Sequence, residues 1–178
     1  FLPYEYDIKD KLNSIYSPVP MIAENSEEES DLYFRHLGGL LRITCNAVPA
    51  GTRRIAVSLN RNIAGTFTVS SPASKTPSIS SGGDRNTVSF IVYEYGLTEK
   101  TDGTVLNLPV PAGSYNTLTV RPIDENGNDI DTFERQISYN AKREKGKKYR
   151  FALTEPVNDS MQLIIEAGDA VGYQYTLI

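Results

Sequence analysis

Apolar and polar residues alternate along most of the chain from about residue 32 onward. The alternation is clearest where Leu41, Ile43 and Cys45 are separated by polar residues. A period of two is typical of a strand with one buried face, so we expect Cys45 to be buried. About nine or ten short strands are predicted, near residues 41–47, 55–59, 63–69, 88–92, 104–110, 117–123, 130–139, 147–153, 161–165 and 171–177. The pattern predicts an all-β fold, an antiparallel sandwich or barrel.

The first thirty residues have a different pattern. Ile8, Leu12 and Ile15 have helical spacing and predict one short helix over residues 8–16, before Pro18. Residues 19–23 read as a brief extended piece, and the acidic stretch 24–31 as a solvated linker. We therefore predict an N-terminal arm or linker over residues 1–30, which could be the tail of a preceding domain, and one β-domain over residues 31–178. Within that domain, residues 70–86 are rich in Ser, Pro and Gly and predict a loop.

Composition excludes several classes of function. The chain has 178 residues and a formal net charge of -4 without a dense basic face, which argues against nucleic-acid binding. It has no apolar run of about 18 residues, so we expect no membrane span within it. The one Cys and one His cannot form a disulfide or a zinc site of Cys and His ligands. A Ser-His-Asp triad would depend on His36 alone, and no Gly-x-Ser-x-Gly motif accompanies it. We expect no cofactor, no metal and no catalytic residues.

Residues 124–131 carry the pattern most similar to a metal site. Asp124, Asn126 and Asn128 match positions 1, 3 and 5 of an EF-hand loop. However, position 6 is Asp129 instead of Gly, and position 12 is Arg135 instead of Glu. An Asn-Gly dipeptide between two strands is typical of a type I′ hairpin turn. We favour that hairpin over an adventitious calcium site.

Aromatic residues offer one alternative function. The chain has 11 Tyr and 6 Phe but no Trp. Tyr93 and Tyr95 near the end of a predicted strand, or Tyr4, Tyr6 and Tyr16 in the arm, could stack on sugar rings, which would make the protein a carbohydrate-binding outer-surface module. Of these we favour Tyr93 and Tyr95. The competing interpretation is that tyrosines fit a half-buried strand surface and bind nothing.

Several segments, in order, resemble the fimbrillin-like proteins of Bacteroidales. The segment YFRHLGGLLRIT (residues 33–44) matches the family's aromatic-rich strand, and VPAG (48–51) matches its corner. A strand ending in Gly-x-Phe-x-Val follows at residues 63–69. Residues 17–23, 108–113 and 146–149 also fit, and the similarity covers most of residues 17–153.

The resemblance implies a surface-anchored pilus subunit or adhesin, not an enzyme. Such proteins resemble transthyretin-like, Greek-key β-sandwiches and are exported as lipoproteins to the outer membrane, and their stalk subunits polymerise by strand exchange after a proteolytic step. The resemblance leaves the role of stalk, anchor or tip undetermined. The terminal strand, with Val171, Tyr173, Tyr175 and Leu177 on one face, would then enter a groove on a neighbouring subunit. The alternative, which we favour for an isolated chain, is that this strand closes its own sheet. The implied partners are other pilus subunits and surface glycans or proteins. No lipobox is present, so a lipid anchor would lie outside this chain.

Overall fold

The computed structural model describes residues 1–7, 20–25, 32–70, 78–92, 97, 99, 103–141, 148–152 and 162–169. Within these ranges the chain has thirteen strands and no helix, which confirms the predicted all-β class. The strands are β1 (Glu5–Asp7), β2 (Met21–Asn25), β3 (Leu32–His36), β4 (Gly38–Asn46), β5 (Arg54–Leu59), β6 (Phe67–Ser70), β7 (Ser78–Gly82), β8 (Thr87–Ile91), β9 (Thr104–Pro111), β10 (Gly113–Ile123), β11 (Phe133–Ala141), β12 (Lys148–Ala152) and β13 (Gln162–Asp169).

Two larger sheets and two hairpins organise these strands. One sheet has the order β1-β8-β5-β10-β11, and the other has the order β12-β13-β4-β9. The hairpins β2-β3 and β6-β7 form separate two-stranded sheets. Every pair is antiparallel except β1 with β8, which is parallel. The expected purely antiparallel arrangement is therefore wrong for the five-stranded sheet, which is mixed.

Side chains from both larger sheets form one apolar core. In β4, Leu41, Ile43 and Cys45 are buried while Arg42 is exposed, as the alternation predicts. The cluster continues through the five-stranded sheet with Phe90 of β8 and Val120 of β10. The period of two thus identifies the buried face correctly. The burial predicted for Cys45 is confirmed, since its exposed fraction is 0%.

Several local predictions differ from the structure. Strand β7 lies within residues 70–86, which composition assigned to a loop. The strand predicted from residue 63 begins at Phe67. Strand β2 takes in the first two residues of the stretch predicted as a linker, and pairs with β3. The helix predicted over residues 8–16 lies outside the described residues.

The first seven residues belong to the larger core. Strand β1 adds to the five-stranded sheet, and Tyr6 is part of the apolar cluster. This segment lies within the predicted arm of residues 1–30. The domain boundary near residue 30 stays a prediction, but residues 1–7 pack with the domain that follows it.

Residues 124–128 form the tip of the hairpin between β10 and β11. The hairpin is confirmed, but the type I′ turn is wrong because only Gly127 has a positive φ, of +86°. Type I′ requires a positive φ at both central residues. The Gly127 N–H donates to the Asp124 carbonyl at 3.2 Å, and the Asp124 N–H donates to the Asn128 carbonyl at 2.9 Å. This pattern fits a three-residue loop with a type I turn followed by a left-handed glycine.

Candidate functional site

The two sets of site residues that the sequence favours lie outside the described residues. The terminal-strand set is Val171, Tyr173, Tyr175 and Leu177, and the sugar-stacking set is Tyr93 and Tyr95. Their roles therefore stay predictions. The described strands instead show which sheet edges a strand from another chain could join.

The N-terminal segment covers one edge of the five-stranded sheet. Strand β1 pairs with β8 over three residues, with Tyr6 opposite Phe90. On its other side β8 pairs with β5, so residues 1–7 are what covers the outer edge of β8. The Ser89 N–H donates to the Tyr4 carbonyl at 2.9 Å. If residues 1–7 left, backbone groups of β8 would lose these partners and become available to another strand.

A second anchor lies at Leu2, which is 2% exposed. Leu2 and Gly65 exchange two backbone hydrogen bonds, of 2.8 and 2.9 Å. Gly65 has a φ of +106°, and a Cβ there would lie 2.5 Å from Asp84 Oδ1. A glycine is therefore required on both conformational and steric grounds. Leu2 and Tyr6 are the two buried side chains by which the segment is attached to the domain.

Polar and charged contacts fix the outer face of the segment. The Tyr4 hydroxyl donates to Asp84 Oδ2 at 3.1 Å, and the Arg85 guanidinium lies 4.7 Å from the centre of the Tyr4 ring. Desolvation and the hydrogen bond to Asp84 raise the pKa of Tyr4. Glu5 Oε2 lies 3.9 Å from Arg54 Nη1. Exposed polar contacts of this kind contribute little because water and salt screen them, so the buried side chains dominate the attachment.

Tyr6 contributes the central apolar contact of this edge. Its ring stacks on Phe90 with centroids 4.9 Å apart, and its exposed fraction is 6%. Desolvation raises the pKa of Tyr6 to about 12. The edge of β8 and the Phe90 ring thus form a groove, which we call the β8 groove, and residues 1–7 fill it.

The edge of the four-stranded sheet at β9 is a poorer acceptor for a strand. Among the described strands β9 pairs with β4 alone, and it carries Pro109 and Pro111 opposite Leu40 and Gly38. Proline has no N–H to donate to an incoming strand. Prolines at an edge are a common protection against unwanted pairing.

Sequence reasoning considered Tyr4 and Tyr6 for sugar stacking but did not recognise residues 1–7 as a strand, and the ring of Tyr6 is buried against Phe90 instead. The signal was present, because Leu2, Tyr4 and Tyr6 alternate with Pro3 and Glu5. Seven residues were too few to separate a strand from an arm, and the parallel partner is distant in sequence. Chemically, the β8 groove offers backbone hydrogen bonds and an apolar floor, which suit an extended peptide.

The calcium alternative at residues 124–131 is not supported by the geometry. Asp124 Oδ1 accepts from the N–H groups of Asn126 and Asn128, both at 2.8 Å, and Oδ2 accepts from Asn128 Nδ2 at 3.1 Å. Hydrogen bonds from Asn128 and Asn126 lower the pKa of Asp124. Its carboxylate therefore stabilises the turn. In the described part of the chain no group of three or more His, Cys, Asp or Glu side chains is arranged to hold a metal ion.

Comparisons with known proteins do not assign a family. No protein-family model matches the chain, and neither a curated protein nor a solved structure matches it. Among the described residues, no helix has the length and apolar character needed to span a membrane.

Proposed function

We propose that this protein is a structural or adhesive cell-surface protein, a fimbrial subunit or fimbrillin-like adhesin that assembles by β-strand exchange. The observation that carries the proposal is the β8 groove, which is filled by a short segment from the start of the chain. Only three residues of that segment pair with β8. An extended segment of another subunit could replace them and make the same kind of backbone hydrogen bonds.

The incoming strand in this proposal is the terminal segment of another copy. Val171, Tyr173, Tyr175 and Leu177 alternate with polar residues and Gly172, so one face of the segment is apolar. Such a strand would gain affinity from its backbone and register from its alternate side chains. If each copy inserts its terminal segment into the β8 groove of the next, the exchange is head-to-tail and builds a polymer that stays open unless the rotation closes a ring.

The proposal extends to fold detail and location. We propose that the two larger sheets pack as a transthyretin-like, Greek-key β-sandwich, which is supported by their shared core. We also propose that the protein acts without enzymatic activity at the outer membrane or cell surface, held by a lipid anchor outside this chain, with other pilus subunits as partners. The segments over residues 17–153 that resemble fimbrillin-like proteins support this location. Binding of glycans through Tyr93 and Tyr95 stays a prediction.

Substitutions in the terminal segment test the donor role. A specific protease site inserted within residues 8–19 allows the chain to fold intact and then to be cut, which frees residues 1–7 to exchange. We expect the cut wild-type chain to form oligomers and a Tyr173→Asp, Tyr175→Asp variant to stay monomeric. The matched control is Gln174→Asp, Thr176→Asp, which adds the same charge to the opposite face of the strand and should still assemble. Equal assembly of both variants would refute the donor role.

A further inference from the structure

Two buried tyrosines differ in how their hydroxyl groups are satisfied. The Tyr115 hydroxyl donates to the Pro111 carbonyl at 2.7 Å. The Tyr6 hydroxyl is also buried but has no hydrogen-bond partner among the described residues. Most buried polar side-chain atoms in proteins have a partner, so an unpaired hydroxyl calls for an explanation.

The unpaired hydroxyl affects only one of the two states of residues 1–7. While the segment fills the β8 groove, the hydroxyl is removed from water and gains no hydrogen bond from the described part of the chain, which is unfavourable. When the segment leaves the groove, the hydroxyl returns to water. It therefore favours the detached state, whereas the aromatic ring, stacked on Phe90, favours the attached state.

A second polar group near the same strand is also poorly satisfied. Arg54 Nε is buried without a hydrogen-bond partner among the described residues. The carboxylate of Glu5 reaches Arg54 only at 3.9 Å, through Nη1. At that distance it makes no hydrogen bond to the guanidinium. The apolar side chains of residues 1–7 thus pack well in the groove, whereas the Tyr6 hydroxyl and the Glu5 carboxylate are poorly paired there.

We propose that Tyr6 determines how readily residues 1–7 leave the β8 groove, because its hydroxyl makes the segment a replaceable occupant. The occupant that fits better is an extended segment with an aliphatic side chain over Phe90 and a second apolar side chain four residues away, at the position of Leu2. This identity rests on the proposed function, in which the occupant is the terminal segment of a second copy. In the chain direction of β1, that segment meets this requirement once, with Tyr173 at the position of Leu2 and Leu177 over Phe90. Leu177 has no hydroxyl to be buried there.

The exchange of the Ser89 amide hydrogen in the intact chain measures detachment directly. This N–H donates to the Tyr4 carbonyl, so it exchanges with solvent when residues 1–7 leave the groove. We expect Ser89 in the wild type to exchange faster than amides of the central strands β5 and β10. In a Tyr6→Phe variant the Ser89 exchange should slow by about five-fold or more, the factor set by the penalty on an unpaired buried hydroxyl.

Tyr115→Phe is the matched control, since it removes a hydroxyl that is paired. It should accelerate exchange throughout the core. The inference would be overturned if Ser89 exchange were unchanged or faster in Tyr6→Phe. It would also be overturned if Ser89 in the wild type exchanged as slowly as the core amides.

The same variant separates this inference from the proposed function. With the protease site in residues 8–19 cut, Tyr6→Phe should also slow the formation of oligomers. One outcome would separate the two ideas: slower Ser89 exchange in Tyr6→Phe, but no oligomers from the cut wild type or the cut variant. The role of Tyr6 in detachment would then stand. The second copy as occupant, and with it the proposed function, would be overturned.

Discussion

The ring of Tyr6 lies over the ring of Phe90, with centroids 4.9 Å apart and planes inclined by 16°. Phe90 is fully buried in the core shared by both larger sheets, and Tyr6 belongs to the same cluster. A stacked aromatic pair contributes about 0.5–1.5 kcal/mol beyond the burial of its surface. The core therefore extends to a segment that is held by few backbone hydrogen bonds, and several measurements can test this arrangement.

Gly65→Ala should weaken the attachment of residues 1–7. The substitution introduces a Cβ at a φ of +106° and 2.5 Å from Asp84 Oδ1, next to the backbone pair with Leu2. We expect a loss of about 1–3 kcal/mol in the free energy of unfolding, together with faster exchange of the Ser89 amide. Urea denaturation and hydrogen exchange measure the two effects.

Gly103→Ala is the control for Gly65→Ala. Gly103 has a φ of +74°, but a Cβ there would meet nothing within 4 Å. Gly103→Ala should lower the free energy of unfolding only by the conformational penalty of about 1–2 kcal/mol. It should not change the exchange of the Ser89 amide relative to that of the core amides. Equal effects of the two substitutions on Ser89 would contradict the role of Gly65 as an anchor.

Tyr115→Phe should destabilise the whole domain. The ring packs against Tyr139 with centroids 6.0 Å apart, and phenylalanine keeps that contact. The loss is confined to the hydrogen bond to the Pro111 carbonyl, which would be left without this donor. We expect the free energy of unfolding to fall by about 1–3 kcal/mol, seen as a lower urea midpoint at an unchanged m-value. A midpoint equal to that of the wild type would show that the bond contributes nothing.

Cys45 should react with a thiol reagent only when the protein unfolds. It is fully buried in β4, and desolvation raises its pKa to about 12, so little reactive thiolate forms. The exposed position of Ser114 provides the comparison. A Ser114→Cys variant should gain one rapidly labelled thiol, and the wild type should label only in denaturant. Rapid labelling of the folded wild type would contradict the packing of β4.

The turn at residues 124–128 should loosen in acid. Hydrogen bonds lower the folded-state pKa of Asp124 below its ordinary value. Its contribution to stability is therefore present above the ordinary carboxyl pKa and is lost as the pH falls through the lowered value. The amide shifts of Asn126 and Asn128 should follow that titration in NMR spectra. Asp124→Asn keeps a hydrogen-bond acceptor without the charge, so the Asn126 and Asn128 amide shifts should no longer change with pH. If they still changed, the titration would belong to another group.

Much of the fold could be predicted from the alternation of residues, because the buried face of a strand is a local property. The pattern in β4 and β10 is long enough to identify both the strand and its inward side chains. Strand β7 has one large apolar residue, Ile79, and could not be recognised in this way. Its position is fixed by tertiary hydrogen bonds, since the Ile79 N–H donates to the Leu37 carbonyl and its own carbonyl accepts from the Ala112 N–H.

The β8 groove could not be predicted for a related reason. The partner of β1 is more than eighty residues away, as the pair of Tyr6 with Phe90 shows, and local periodicity holds no information about partners. The unpaired state of the Tyr6 hydroxyl depends on which acceptors the folded chain places around it. The turn type at Asn126 was also undetermined by the Asn-Gly dipeptide, because the hydrogen bonds to Asp124 decide it.

The most direct test of strand exchange is the solution mass of the folded chain before and after cutting at a protease site inserted within residues 8–19. Light scattering should give a monomer before cleavage. After cleavage it should give a series of growing oligomers, and an excess of a synthetic peptide of residues 1–7 should suppress them by refilling the β8 groove. A cut protein that stays monomeric, without added peptide, would contradict assembly by strand exchange at this edge.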